Sequence, residues 1–158
     1  MTTLKTLDRT PELAELKVTY KRRLPRKRPS TLSGVVQAED FLRTIWDEET
    51  MDLREEFVVV CLDASLTVLG WVRLHVGGLD ASTVDARLVF GVALKAASSG
   101  LLVAHNHPSG KVEPSEQDKA LTRRLRQGAR LLGLRFVDHL ILGREGSYSF
   151  ASTGTLDD

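Results

Sequence analysis

An apolar run at residues 56–62 constrains the fold of this chain more than any other segment. Its sequence is Glu-Phe-Val-Val-Val-Cys-Leu, so that β-branched and other apolar residues follow a single leading glutamate. Such a run is typical of a strand that is buried on both faces. The chain therefore needs a sheet whose two faces are covered by other elements.

The rest of the chain alternates between helical and strand patterns. Apolar residues recur at helical spacing in three segments, and β-rich segments lie between or beside them. We predict helices at Ala38–Trp46, Asp85–Ala97 and Ser115–Leu132. We predict strands at Glu56–Leu62, Thr67–Val76, Leu101–Ala104, Leu134–Leu142 and Tyr148–Ala151. This order predicts an α/β fold with a mixed β-sheet flanked by helices.

A basic segment precedes these elements. Residues 17–28 contain seven lysines and arginines and no acid, and Pro25 and Pro29 argue against a helix there. The segment is either a solvated, extended arm or an arm that contacts phosphate groups, and the sequence leaves both interpretations open. We place this arm at residues 1–33 and one folded domain at residues 34–158.

Composition excludes several classes of protein. The chain has a single cysteine, so an intrachain disulfide and a cysteine-rich zinc cluster are both excluded. No segment has the ~20 apolar residues of a membrane span, and the first residues lack the apolar core of a signal peptide. We therefore expect a cytoplasmic protein. With a net charge of +1, any nucleic-acid binding would depend on a local basic patch.

The chemistry of the chain is concentrated around the tripeptide His105-Asn106-His107, which follows the predicted buried strand. On an extended backbone, the first and third side chains of a tripeptide point to the same side. Asp118 lies in the first turn of the next predicted helix and can turn back toward both histidines. Two imidazoles and one carboxylate leave one tetrahedral position for water, which is the arrangement of a catalytic zinc site.

Each part of this pattern also has a structural interpretation. Ser115-x-x-Asp118 is a helix capping box, in which Asp118 bonds back to the helix start. A lone His-x-His pair is more often a coincidence at the surface than a ligand pair. Their joint appearance at a strand-to-helix junction favours metal binding, although capping and metal ligation compete for Asp118.

The two segments together resemble a known motif. His105-Asn-His-Pro-Ser-Gly110, followed by Pro114-Ser-Glu-Gln-Asp118, is similar to the metal motif of the RadC-type branch of the JAB/MPN (JAMM) metalloprotease superfamily. The resemblance extends from Val35 to Ala151. It implies the layered JAB/MPN fold, which is similar to that of cytidine deaminases. We expect a short form that lacks the helix-hairpin-helix region of longer relatives.

The resemblance also implies roles for individual residues. It assigns zinc to His105, His107 and Asp118, and the water-activating carboxylate to Glu55. Glu56 is the rival for that role, and only one of the two adjacent carboxylates can face the metal. The hydroxyl of the motif's serine, at position 115, would stabilise an oxyanion. The implied reaction is hydrolysis of an amide in a peptide or isopeptide substrate.

Two other functions stay open. RadC relatives carry a DNA-repair label and include mobile-element copies, and in this chain the basic arm supports a DNA contact. A metal-binding interaction module without turnover would result if Glu55 were misplaced.

The remaining candidate residues are weaker. Arg123, Arg126 and Arg130 form one edge of a predicted helix, which is either solvated or in contact with phosphate. We expect His75 to be structural. We expect His139 to form a buried hydrogen-bonded pair with the neighbouring Asp138. The alternative is that His139 supports a metal ligand through a hydrogen bond.

Overall fold

The computed structural model describes residues 30–76 and 84–156 of the chain. Within these ranges the backbone forms three helices and five strands. The helices are α1 (Val35–Ile45), α2 (Ala86–Lys95) and α3 (Glu116–Leu131). The strands are β1 (Glu56–Leu62), β2 (Val68–Val76), β3 (Gly100–Asn106), β4 (Arg135–Leu142) and β5 (Ser147–Ser149).

The strands form one sheet in the order β2-β1-β3-β4-β5. The β3–β4 pair is parallel and the other pairs are antiparallel, so the predicted mixed sheet is confirmed. The parallel pair is connected through α3, as a crossover requires. Every residue of β1 and of β3 is buried, which agrees with the apolar run at residues 56–62.

Side-chain alternation along the sheet creates two cores. On one face, Val58 and Val60 pack with the buried residues of α1. On the other face, Phe57 and Val59 pack with the buried residues of α2 and α3. The face of any residue near the end of β1 or β3 therefore follows from its place in this alternation.

Two element bounds differ from the prediction in ways that matter for packing. The first helix begins at Val35 rather than Ala38, because the extended Gly34 forms its N-cap. The third strand continues to Asn106 rather than ending at Ala104, because β1 and β4 pair with it on both sides as far as the tripeptide. The first histidine, His105, therefore lies within the strand and not after it.

The segment before α1 contributes to the core. Leu32 is buried against the α1 face, and Thr31 forms a bridge to Thr67, the residue just before β2. Residues 1–29 of the predicted basic arm lie outside the described residues. None of the helices that the structure describes is long and apolar enough to cross a membrane.

Candidate metal centre

Three side chains converge at one end of the sheet: His105, His107 and Asp118. His105 Nε2 lies 3.0 Å from His107 Nε2 and 3.1 Å from Asp118 Oδ1. His107 Nε2 lies 3.5 Å from Asp118 Oδ2. The side chain of His105 is buried, whereas the side chains of His107 and Asp118 are 19% and 13% exposed. The cluster is therefore open to solvent on the side of His107.

The alternation of β3 places His105. Its side chain lies on the face covered by α2 and α3, opposite Phe57 of the neighbouring strand. The Phe57 and His105 rings stack with centroids 6.4 Å apart and planes at 16°. One side of the imidazole is thereby covered by an apolar ring, which restricts its orientation.

A tight turn after β3 places His107. Its backbone N–H donates to the Leu142 carbonyl at 3.0 Å, and Gly110, at a φ of 76°, donates back to the His107 carbonyl. The ring Nδ1 lies 2.6 Å from the carbonyl oxygen of Lys111. Since a carbonyl oxygen only accepts, this Nδ1 carries the hydrogen and Nε2 presents a lone pair to the cluster.

The first turn of α3 places Asp118. Its Oδ2 accepts hydrogen bonds from the Ser115 backbone N–H at 2.8 Å and from the Ser115 hydroxyl at 2.6 Å. The Ser115 Oγ in turn accepts from the Asp118 N–H, which completes the capping box. Oδ1 meanwhile points at His105. Capping and metal ligation are therefore geometrically compatible, because Oδ2 caps the helix while Oδ1 faces His105.

The spacing of the donor atoms fits a small tetrahedral cation. Ligand bonds of about 2.0–2.2 Å at tetrahedral angles place neighbouring donors about 3.3 Å apart. The His105–His107 and His105–Asp118 Oδ1 distances of 3.0 and 3.1 Å are close to this value, and one ligand atom from each of the three residues lies within 4.8 Å of the others. Two imidazoles and a carboxylate can therefore hold a metal ion, and an ion with three protein donors keeps a position for water.

The electrostatics of the cluster favour a positive charge between the donors. Burial would raise the pKa of Asp118, but hydrogen bonds that His105 and His107 donate in their protonated forms outweigh it and hold that pKa well below its ordinary range. The hydrogen bond with Asp118 raises the pKa of His107 despite its partial burial, and the nearby charge of Glu55 adds to the effect. A carboxylate that stays ionised thus attracts either a proton or a metal ion.

Glu56 belongs to the opposite face of the sheet. Its side chain is fully buried, with Oε2 2.8 Å from Arg73 Nε and Oε1 3.1 Å from Arg54 Nε. Thr50 also donates a hydrogen bond to Oε1. Because both oxygens are already engaged there, Glu56 forms a structural ion-pair cluster and has no access to the three donors.

Glu55 lies on the same side as the donors. It precedes β1 and shares the face of Phe57 by alternation. Extending the register beyond the Phe57–His105 pair places Glu55 opposite His107. The side chain is half-buried, and among the described residues nothing forms a hydrogen bond or ion pair with it. A free carboxylate therefore lies beside the cluster.

Asn106, between the two histidines, anchors the segment that carries Glu55. Its fully buried side chain accepts from the Glu56 N–H at 2.8 Å. It also donates to the carbonyls of Met51 at 2.6 Å and Arg54 at 2.9 Å. This role was not predicted from the sequence. The available signal was a polar residue on the buried face of a strand, which requires hydrogen-bond partners.

His139 contacts a donor directly. Its Nε2 lies 2.8 Å from His105 Nδ1, and its Nδ1 lies 2.6 Å from the Thr122 hydroxyl. Burial lowers its pKa well below the ordinary value, and the charge of His105 adds to this effect. The ring is therefore neutral. Thr122, which completes these contacts, was not identified from the sequence.

The expected buried hydrogen bond between Asp138 and His139 involves the His139 backbone and not its ring. Adjacent strand residues face opposite sides, and the Asp138 carboxylate accepts from the Ser149 hydroxyl and the Ala151 N–H on the α1 face. Its contact with His139 is to the backbone N–H, at 2.7 Å. Asp138 therefore holds the chain after β5, and burial raises its pKa.

The three arginines lie apart from the cluster. Arg123, Arg126 and Arg130 line a groove between α3 and β4. His75 falls within β2, and its side chain lies outside the described residues.

Comparison with known proteins agrees with this geometry. A family profile described as RadC-like JAB domain matches residues 34–155, which include all three donors. A UPF0758 protein of Thermotoga maritima is 44% identical over 110 residues, covering 69% of this chain and 50% of that protein. A UPF0758 protein of Porphyromonas gingivalis is 39% identical over 136 residues, covering 85% and 60% respectively. The chain spans about half the length of the curated relatives it matches.

Proposed function

Since the chain belongs to the RadC-like JAB domain family, we propose that it is a zinc-dependent metallohydrolase that cleaves an amide bond in a peptide or isopeptide substrate. One observation carries the proposal. The half-buried Glu55, free of hydrogen bonds and ion pairs to described residues, lies beside the open side of a cluster of three metal donors. A purely structural metal site has no need of such a carboxylate.

Each residue of the cluster has a distinct task. His105, His107 and Asp118 would hold the zinc, which when bound acidifies a water molecule and polarises a carbonyl group. Glu55 accepts the proton that the water loses and passes it to the departing amine. Because no described residue forms a hydrogen bond or ion pair with Glu55, both carboxylate oxygens are available to it for these transfers.

Ser115 is assigned the stabilisation of the oxyanion. Its exposed hydroxyl donates to Asp118 Oδ2 at 2.6 Å, so it must exchange that bond for one to the substrate. A hydroxyl that stays on Asp118 would act only in positioning. We expect Ser115→Ala to lower kcat more than zinc affinity, and a loss of zinc affinity alone would assign the serine to positioning.

A test of the proposal uses zinc-loaded protein with peptide substrates and with substrates linked through a lysine side chain. Glu55→Gln should lower hydrolysis about 100-fold or more while the zinc content is unchanged. The matched control is Glu49→Gln, an exposed glutamate in the segment before β1, and it should keep wild-type activity. Full activity of Glu55→Gln would contradict the assigned role. A zinc-loaded wild type that cleaves none of these substrates would instead favour an interaction module without turnover.

A second candidate function, contact with a nucleic-acid backbone, is favoured by a different surface. An open groove of about 630 Å³ between α3 and β4 is lined by Arg123, Arg126, Arg130 and Arg135. Arg126 also donates to the Leu156 carbonyl, so the exposed Arg123 and Arg130 are the better probes. Arginine side chains in such a groove suit phosphate oxygens.

Binding to a short DNA duplex, followed by fluorescence anisotropy over a range of salt concentrations, tests this candidate. The double variant Arg123→Gln, Arg130→Gln should bind more weakly, with a salt slope lower by roughly two. Arg87→Gln, an exposed arginine on α2, is the matched control. Loss of binding on deletion of residues 1–29, with no effect of the double variant, would assign the contact to the basic arm.

A further inference from the structure

A chain of buried hydrogen bonds runs behind the metal donors. The Thr122 hydroxyl donates to the carbonyl oxygen of Asp118 at 2.6 Å and lies 2.6 Å from His139 Nδ1. His139 Nε2 lies 2.8 Å from His105 Nδ1. The three side chains Thr122, His139 and His105 are 2%, 0% and 1% exposed. Bulk water therefore does not compete for these bonds.

The number of hydrogens in this chain sets the direction of each bond. A hydroxyl has one hydrogen, and that of Thr122 is used on the Asp118 carbonyl. The hydroxyl oxygen must then accept the hydrogen on His139 Nδ1. A neutral imidazole has only one N–H, so His139 Nε2 accepts from His105 Nδ1. His105 Nε2 is left with a lone pair, and this is the atom that faces Asp118 and His107.

The surroundings leave the His139 ring no other polar partner among the described residues. Phe150 stacks on it with centroids 5.1 Å apart and planes at 10°, and Phe57 meets its edge at 6.1 Å. With apolar rings on these sides, the two nitrogens bond only to Thr122 and His105. Thr122 follows Asp118 by one turn of α3, so this row of hydrogen bonds connects two of the three donors, Asp118 and His105.

We propose that His139 and Thr122 are positioning residues that fix His105 as the Nδ1–H tautomer and so aim its Nε2 lone pair at the metal. The inference rests on the proposed metal site and extends it beyond the three donors. A ring that flipped or changed tautomer would present N–H to the cation and lose the ligand. The threonine hydroxyl therefore acts on the metal through two successive imidazoles.

The tautomer itself is measured without metal or substrate. Long-range ¹H–¹⁵N correlation spectra of metal-free protein at neutral pH distinguish the two neutral tautomers of each ring. We expect the His105 ring as the Nδ1–H form in the wild type and in Thr122→Ser, which keeps a hydroxyl. In Thr122→Val, His139 loses the acceptor of its Nδ1 hydrogen, and His105 should populate both tautomers. An Nε2–H form of His105 in the wild type would overturn the inference.

Zinc affinity, measured by chelator competition, tests the consequence. Thr122→Val and His139→Phe should each weaken zinc binding about 10- to 100-fold, whereas Thr122→Ser should stay close to the wild type. The matched control is Thr44→Val, which removes an exposed helical hydroxyl bonded to the Phe41 carbonyl at 2.6 Å. Unchanged zinc affinity in a folded Thr122→Val protein would overturn the inference.

These outcomes separate the inference from the proposed hydrolysis. A protein that binds zinc and responds to Thr122→Val as described supports the inference even if it cleaves no amide. A protein that cleaves amides with unchanged zinc affinity in Thr122→Val supports the hydrolase and overturns the inference.

Discussion

The two faces of the sheet each bury a cluster of ionisable groups near the start of β1, and the clusters differ in how their charges are balanced. On the α1 face, Glu56 is paired with Arg54 and Arg73 through both carboxylate oxygens. On the other face, the lone pairs of His105 and His107 point at each other and at one carboxylate. The charge of the first cluster is balanced by its own ion pairs, whereas the second can hold a cation between its donors.

This difference explains why adjacent glutamates have different roles. Glu56 is fully buried with two cationic partners, while Glu55 is half-buried and free of them among the described residues. A buried charge with its partners in place fixes structure. A free carboxylate beside an unbalanced set of donors is suited to chemistry. The charges around each of the two adjacent glutamates therefore distinguish a structural role from a chemical one.

The largest expected effect is on the unbalanced cluster, which consists of His105, His107 and Asp118. Zinc at about 1,000 times its dissociation constant should raise the free energy of unfolding by about 4 kcal/mol, measured by denaturant titration with and without metal. The increment should shrink as pH falls through the pKa of His107, which Asp118 raises, because the protonated ring cannot bind zinc. Asp118→Asn should fold but show little increment. An equal increment in both proteins would leave Asp118 with its capping role alone.

The next effect concerns the balanced cluster, which consists of Glu56, Arg54 and Arg73. Glu56→Gln leaves Arg54 and Arg73 without their anion and should cost about 3 kcal/mol of unfolding free energy, with or without zinc. Glu55→Gln should change it by less than about 0.5 kcal/mol. The same denaturant titrations compare the two variants. Equal losses would mean that the two faces do not differ as described.

A smaller effect is expected at Asn106, which holds the segment before β1. Asn106→Ala leaves the Glu56 N–H and the carbonyls of Met51 and Arg54 without partners, and should cost about 2 kcal/mol. Hydrolysis should fall as well, because the segment that carries Glu55 is released, while zinc content stays the same. If the variant lost its zinc and kept normal stability, Asn106 would act on the donors and not on the segment before β1.

The sequence was sufficient for the elements and for the donors, because both depend on local patterns. The apolar run at 56–62 predicts β1 to the residue, and the spacing of His105, His107 and Asp118 predicts the cluster that the structure brings together. Side-chain alternation also reduced the choice between Glu55 and Glu56 to the question of which carboxylate faces the donors.

The partners of the buried polar groups could not be predicted, because they come from distant segments. His139 bonds to His105 across the β3–β4 pair and to Thr122 on α3. The extension of β3 to Asn106 likewise depends on pairing with β1 and β4. These contacts follow from sheet register, which a single sequence does not contain.

The most direct test of the unbalanced cluster is the zinc content of the purified chain after exhaustive dialysis. We expect about one zinc per chain in the wild type and almost none in the double variant His105→Ala, His107→Ala. Circular dichroism of both proteins provides the control for folding. A folded double variant that retains the full zinc content would contradict the account, because the metal would then lie elsewhere in the molecule.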